Sequence, residues 1–339
     1  MSVAVIGGGS WGTALSCILG NNGRTVQLWT RSPDHAEQLQ IQHENDKYLP
    51  GVTIPATVNI TSDITDAVQS ASMVIFAVPS QSMRSILAMF ESAMARDVLI
   101  VSAAKGFEVT TGLTMSQVIG NSLSALPEAN IAVLSGPTIA FELGNNLPGA
   151  CVIASKSMDT AQKVQQLFQG SILRTYTEQD VQGVEIGGAV KNVIAIASGI
   201  CDGLAIGDNG KAAIITRGLA ELARFGEGHK AKLHTFAGLS GLGDCIVTCM
   251  SRHSRNRRLG EAIGMGATLD NAIQSMHGMV AEGLTTVQTL VEYFHETDES
   301  MPIAHGVYEI LFNKAVLKDV VMRLMQRSVG TERRDRPQN

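Results

Sequence analysis

Lys191 is the only cation in a long apolar stretch. Glu185-Ile186-Gly187-Gly188-Ala189-Val190-Lys191-Asn192 opens a run of Val, Ile and Ala whose periodicity predicts a helix over Val184–Ile200. Burial there would disfavour the charged ammonium and draw its pKa down from about 10.4, which suits proton transfer to a substrate oxygen. The competing reading is a surface lysine whose stem lies on apolar neighbours while its head stays in water. Gly241-Leu242-Gly243-Asp244, then Thr248, lead into Arg252-His253-Ser254-Arg255-Asn256-Arg257-Arg258. Arg255 can grip a phosphate in bidentate fashion, Ser254 and Asn256 can add hydrogen bonds, and Asp244 can accept from a substrate hydroxyl or orient a lysine. A basic helix face for solvent or RNA is the alternative, but no aromatic residues interleave with it to stack on bases.

Gly7-Gly8-Gly9-Ser10-Trp11-Gly12 gives G-x-G-x-x-G directly after the apolar run Val3–Ile6. Gly7 permits a tight turn, Gly9 lets backbone approach a pyrophosphate, and Gly12 lets helix and strand pack closely, with helix N–H donors facing the anion. The same residues contain G-x-S-x-G, the nucleophile elbow of a hydrolase. That reading fails because only six residues precede Gly7, too few for the earlier strand and loop that build an oxyanion hole.

An acidic residue that reads the cofactor ribose is expected about 20 residues beyond the glycines. That position reads Leu28-Trp29-Thr30-Arg31-Ser32, without Asp or Glu. Arg31 and Ser32 can accept a 2′-phosphate, so NADP is allowed beside NAD, unless Arg31 simply faces solvent. Lys105, in Ser102-Ala103-Ala104-Lys105-Gly106-Phe107, and Gly136 and Thr138, in Ser135-Gly136-Pro137-Thr138, each follow a predicted strand at the edge where such sheets bind ligands. Taken alone, both are also ordinary loops.

These residues need a sheet edge and a helical partner to meet. Strands are predicted near Val3–Ile6, Thr25–Trp29, Met73–Val78, Val98–Ser102, Ile131–Leu134 and Ala150–Ala154, with helices at Trp11–Leu19 and Pro33–Glu44. The alternation predicts an α/β fold, an N-terminal Rossmann-like doubly wound sheet over residues 1–180. Helical periodicity over Val184–Ile200, Lys211–Phe225 and Thr285–Glu296 predicts a mostly α-helical substrate domain over 181–330, with 331–339 a fraying tail. A chain of 339 residues exceeds the usual size of one core, roughly 250 to 300 residues, so two domains are expected.

Hydrophobic residues make up 45% and charged residues 17%, as in a folded globular protein. The net charge of −5 gives no global reason to bind nucleic acid, and the N-terminal apolar run is too short for a signal or a membrane span. Cys17, Cys151, Cys201, Cys245 and Cys249 form no secreted disulfide framework, so a reducing cytoplasm is expected. Cys245, Cys249 and His253 fall on one helical face, but buried thiols are the simpler account and no metal is expected. His229, His234, His277, His295 and His305 have no convincing partner in sequence.

Over nearly the whole chain, residues 2–325, the sequence resembles the bacterial-type NAD(P)-dependent glycerol-3-phosphate dehydrogenases. The shared runs, in order, are Gly7–Ala14, Asn45-Asp46-Lys47-Tyr48-Leu49-Pro50-Gly51, Ala104-Lys105-Gly106, Leu134-Ser135-Gly136-Pro137, Ala189-Val190-Lys191-Asn192, Gly241-Leu242-Gly243-Asp244 and Arg255-Asn256. The resemblance implies that Lys191 is the catalytic proton donor or acceptor and that Lys105, Gly136, Thr138, Asp244, Ser254, Arg255 and Asn256 contact substrate. It also implies that Ser10, Trp11, Arg31, Lys105, Ala140, Arg255, Val280 and Glu282 line the NAD or NADP site. Thr138 stands where a serine is common in the family, and the hydroxyl survives the change. A homodimer and supply of glycerol 3-phosphate to phospholipid synthesis are likewise implied by similarity. A 6-phosphogluconate-type or 3-hydroxyacid dehydrogenase would share the glycine turn and the helical lysine, and the Arg255 cluster is what separates them. A non-catalytic dinucleotide sensor would have no use for a buried base.

Overall fold

A computed structural model describes residues 2–95, 97–276 and 279–327; His277, Gly278 and the tail 331–339 lie outside these. The strands are β1 (Ser2–Ile6), β2 (Thr25–Trp29), β3 (Glu44–Asn45), β4 (Leu49–Thr53), β5 (Val58–Thr61), β6 (Met73–Phe76), β7 (Leu99–Ser102), β8 (Ile131–Ser135), β9 (Gly149–Ser155) and β10 (Leu173–Glu178). Eight of them form one sheet in the order β10-β9-β8-β7-β6-β1-β2-β5. All neighbours run parallel except β8 and β9. From β1 the chain winds outward through β2 and β5, then returns to β6 on the other flank of β1. The crevice beyond this reversal is where such sheets bind ligands.

Strands buried on both faces read as unbroken apolar runs, and β6, Met-Val-Ile-Phe, is fully buried. One core lies between the sheet and the helices Ser10–Asn21 and Met158–Leu167, and a second covers the opposite face with Met83–Phe90 and Met115–Ser122.

A third core surrounds the helix Val181–Gly203, in which every residue from Gly183 to Cys201 is buried. It is long and apolar enough to cross a membrane, but its apolar surface is covered entirely by protein. The helix Arg255–Gly264 crosses it at backbone distance. A Cβ added at Gly199 would lie 2.0 Å from the Arg257 carbonyl oxygen, and one at Gly260 would lie 2.0 Å from that of Ile196. That approach, open only to glycine, brings Arg255 and Asn256 beside the helix that carries Lys191.

Three local expectations are corrected. The helix begun at Pro33 ends at Gln42, not Glu44: His43 turns left-handed at φ 50° and Glu44 joins β3. The stretch Thr285–Glu296 is not one helix. The helix Glu282–Gln288 passes into a π-helical turn over Thr289–Tyr293. Strands β3, β4, β5 and β10 add to those expected from sequence.

Candidate functional site

The glycine turn has the form a dinucleotide needs. Gly7 sits at φ +124°, and a Cβ there would meet the Ala77 carbonyl oxygen at 2.7 Å, across the gap between β1 and β6. A Cβ at Gly12 would lie 1.9 Å from the Gly7 carbonyl oxygen. Around Gly9, in contrast, nothing lies within 4 Å of a built Cβ, so this side of the turn is open. Gly9 is also the N-cap of the helix Ser10–Asn21, and no side chain caps its first N–H groups. Open space beside uncapped donors fits a pyrophosphate. The Trp11 indole nitrogen is buried there without a protein partner.

The polar centre forms where the carboxyl ends of β7 and β8 face the helical half. Lys105 follows β7 and Gly136 and Thr138 follow β8. The Lys105 Nζ donates to the Gly136 carbonyl oxygen at 3.0 Å, to Thr138 Oγ1 at 3.5 Å and to Asp244 Oδ2 at 2.6 Å. Lys191 Nζ donates to Asp244 Oδ1 at 2.9 Å and to Thr248 Oγ1 at 2.6 Å. Asp244 enters from the π-helical turn Leu239–Gly243, a widened turn of a kind frequent at functional sites. Thus one carboxylate bridges two ammonium groups, and the trio carries a net positive charge.

Burial pushes the Lys191 ammonium below its ordinary pKa; Asp244 opposes this and Lys105 adds to it. Burial alone would raise the Asp244 carboxyl, but the two lysines outweigh it and hold the group below the usual carboxylate range. The structure therefore places Lys191 in the buried setting, with an ion-pair partner and a hydroxyl around its proton-bearing nitrogen.

Arg255 and Glu282 are two further buried charges that act on each other electrostatically. Burial lowers the Arg255 pKa against the opposing pull of Glu282, and burial raises that of Glu282 against its bonds to Ser80 and the charge of Arg255. Glu282 accepts from the Ser80 backbone N–H at 3.1 Å and from its hydroxyl at 2.5 Å, joining the helical half to the loop after β6. Two neighbours of Arg255 have structural duties. Ser254 Oγ caps the helix by accepting from Arg257 N, and Asn256 donates to Asn192 Oδ1 at 2.9 Å while accepting from Gly283 N at 3.0 Å. Within the basic run, Arg257 is paired with Asp202 and Glu261, whereas Arg258 is exposed.

The remaining positions are more dispersed. Ala140 opens the short helix Ala140–Gly144, Val280 is 41% exposed, and Arg31 is exposed just past β2. His253 stacks on Phe141, while the Cys245 and Cys249 sulfurs lie 3.9 Å apart in the interior. Among the described residues no group of three or more His, Cys, Asp or Glu side chains is placed to hold a metal.

Known families contain both halves of this arrangement. Residues 2–161 match the N-terminus and residues 180–322 the C-terminus of NAD-dependent glycerol-3-phosphate dehydrogenase. The chain belongs to that family. A glycerol-3-phosphate dehydrogenase [NAD(P)+] of Chlorobium phaeobacteroides strain BS1 is 47% identical to this dehydrogenase over 332 residues, 98% of this chain and 99% of the relative. One from Clostridium perfringens strain 13 is 44% identical over 330 residues, 97% and 98% of the two chains. The crystal structure of glycerol-3-phosphate dehydrogenase from Coxiella burnetii superposes with a TM-score of 0.90 at 34% identity, covering 96% of this chain and 99% of that one. The dehydrogenase is accordingly an NAD(P)-dependent oxidoreductase with a Rossmann-like N-terminal domain and a helical C-terminal domain.

Sequence reasoning missed three contributors. Thr248 is visible in the sequence but receives no role there, although four residues after Asp244 on a helix it has to share that face. Ser80 gave no signal, because its partner Glu282 is distant in sequence. Asn45 was noted only within a shared motif, yet its side chain is fully buried against the glycine turn.

Proposed function

We propose that this dehydrogenase interconverts dihydroxyacetone phosphate and sn-glycerol 3-phosphate with NADPH or NADH, and that Lys191 moves the proton at the substrate oxygen. The observation that carries this is the buried Lys191 ammonium, held by Asp244 at 2.9 Å and Thr248 at 2.6 Å in a dehydrogenase fold. The bound nicotinamide supplies or accepts the hydride. Lys191 holds a proton that burial makes easier to release, and the net positive trio favours negative charge developing on the substrate oxygen. Asp244 keeps Lys191 and Lys105 oriented. Arg255 grips the phosphate, helped by the Asn256 amide hydrogen and Ser254 hydroxyl proton that their structural bonds leave over. Gly136 and Thr138 shape the same wall. On the cofactor side, the turn Gly7–Gly12, with Ser10 and Trp11 in it, takes the pyrophosphate, and Arg31, Lys105, Ala140, Arg255, Val280 and Glu282 line the rest of the cofactor site.

The same reading makes residues 1–180 the cofactor domain and 181–330 the substrate domain of a cytoplasmic homodimer supplying phospholipid synthesis. The test is absorbance at 340 nm with dihydroxyacetone phosphate and NADPH or NADH in separate reactions. Oxidation that depends on substrate supports the assignment; none with either cofactor, from folded protein, overturns it.

A further inference from the structure

The end of β2 has no carboxylate to accept from a cofactor ribose, but it has a hydroxyl whose polarity is fixed from behind. Asn45 Nδ2 donates to the Gly8 carbonyl oxygen at 3.0 Å and to Thr13 Oγ1 at 2.8 Å. Because the Gly8 oxygen can only accept, the Asn45 amide has one possible orientation, and its Oδ1 accepts from Tyr48 N at 3.3 Å. His35 Nε2 lies 3.4 Å from that same Oδ1 and must therefore carry the proton. In the neutral imidazole Nδ1 is then an acceptor, so Thr30 Oγ1, 2.9 Å away, donates to it. Burial holds the His35 pKa below its ordinary value, against the Asn45 bond and with help from Lys47, which favours that neutral form.

Thr30 is thereby left with lone pairs and no free proton. It stands just past β2, where a ribose-reading residue is expected, and packs directly on the glycine turn: a Cβ at Gly8 would meet Thr30 Oγ1 at 2.9 Å. We infer that Thr30 reads the cofactor ribose as an acceptor in place of a carboxylate, and that His35 and Asn45 are positioning residues that impose this polarity. An acceptor here takes a hydrogen bond from a 2′-hydroxyl but opposes a 2′-phosphate oxygen, whereas the exposed Arg31 next door attracts the phosphate. The pair therefore sets the NADH to NADPH ratio, with Thr30 acting for NADH. The inference rests on the dinucleotide reading and not on the identity of the substrate.

The experiment is calorimetric titration of the full chain with NADH and with NADPH, which needs no turnover and so separates this claim from the substrate assignment. Thr30→Val should weaken NADH about three- to tenfold relative to NADPH, the span of one lost hydrogen bond. His35→Phe frees the Thr30 proton to donate and should shift the ratio in the same direction. His35→Gln, which keeps a donor for Asn45 and an acceptor for Thr30, should restore the wild-type ratio. Loss of thermal stability without a change of ratio would reduce the network to a structural role and overturn the inference, as would Thr30→Val and His35→Phe ratios within twofold of wild type.

Discussion

Lys191 and Asp244 meet at 2.9 Å from two different helices, each side chain almost wholly withdrawn from water. Removing one partner from such a pair strands the other, typically at about 3–5 kcal/mol. Asp244→Asn is therefore expected to lower stability, and it also has a sharper signature. Burial already depresses the Lys191 pKa and Asp244 partly offsets this, so its loss should depress it further. If Lys191 donates the proton as proposed, ketone reduction needs it protonated, and activity should fall as pH rises through its pKa. The alkaline limb of kcat should move to lower pH in Asp244→Asn, and an unchanged limb would argue against Lys191 as the titrating acid.

Gly9 and Gly12 are one helical turn apart but should respond oppositely to alanine. Gly12→Ala drives a methyl group into the Gly7 carbonyl oxygen, so its melting temperature should fall, by an amount equivalent to about 2 kcal/mol or more. Gly9 has φ −83° and open space around it, so Gly9→Ala should melt like wild type. Its added methyl enters the side proposed for the pyrophosphate, and NADH binding should weaken at least tenfold by titration calorimetry.

Arg255→Lys keeps the charge beside Glu282 but removes the planar fork. The expected result is a drop in kcat/KM for dihydroxyacetone phosphate of about ten- to a hundredfold, equal to the roughly 1.5–3 kcal/mol of a charged hydrogen bond. Steady-state kinetics at saturating cofactor would show it, and parity with wild type would remove Arg255 from the phosphate site.

Glu221 lies far from this chemistry. It accepts from the backbone N–H groups of Ile303 and Ala304 at the start of the helix Pro302–Phe312, and burial raises its pKa to about 7. Between the unfolded value of 4.5 and about 7 the folded chain binds the extra proton, so stability should decline as pH rises through that window. The effect is on the order of 1–3 kcal/mol. Glu221→Gln cannot titrate, and its denaturation midpoint should vary less between pH 5 and 8, as urea titrations would reveal.

The mostly parallel sheet and the long central helix were legible because the inner strands are short unbroken apolar runs and the helix is a long one with a single period. The hairpin of β3 and β4 was not, since it is held by Asn45 reaching a glycine turn far back in sequence. Likewise the helix from Pro33 was read two residues too far, because a left-handed His43 carries no strong residue signal. In the site, Lys191 stood out as a lone cation and Asp244 as the acid after Gly-Leu-Gly. That Asp244 serves both Lys191 and Lys105 depends on three segments converging, which no local pattern encodes.

The most direct test of the account is turnover by Lys191→Ala, measured at 340 nm with saturating dihydroxyacetone phosphate and NADPH, beside calorimetric NADPH binding. Loss of kcat by about 10²–10⁴-fold with cofactor affinity within threefold of wild type is the predicted result. Turnover within tenfold of wild type would contradict it and move the proton to another group.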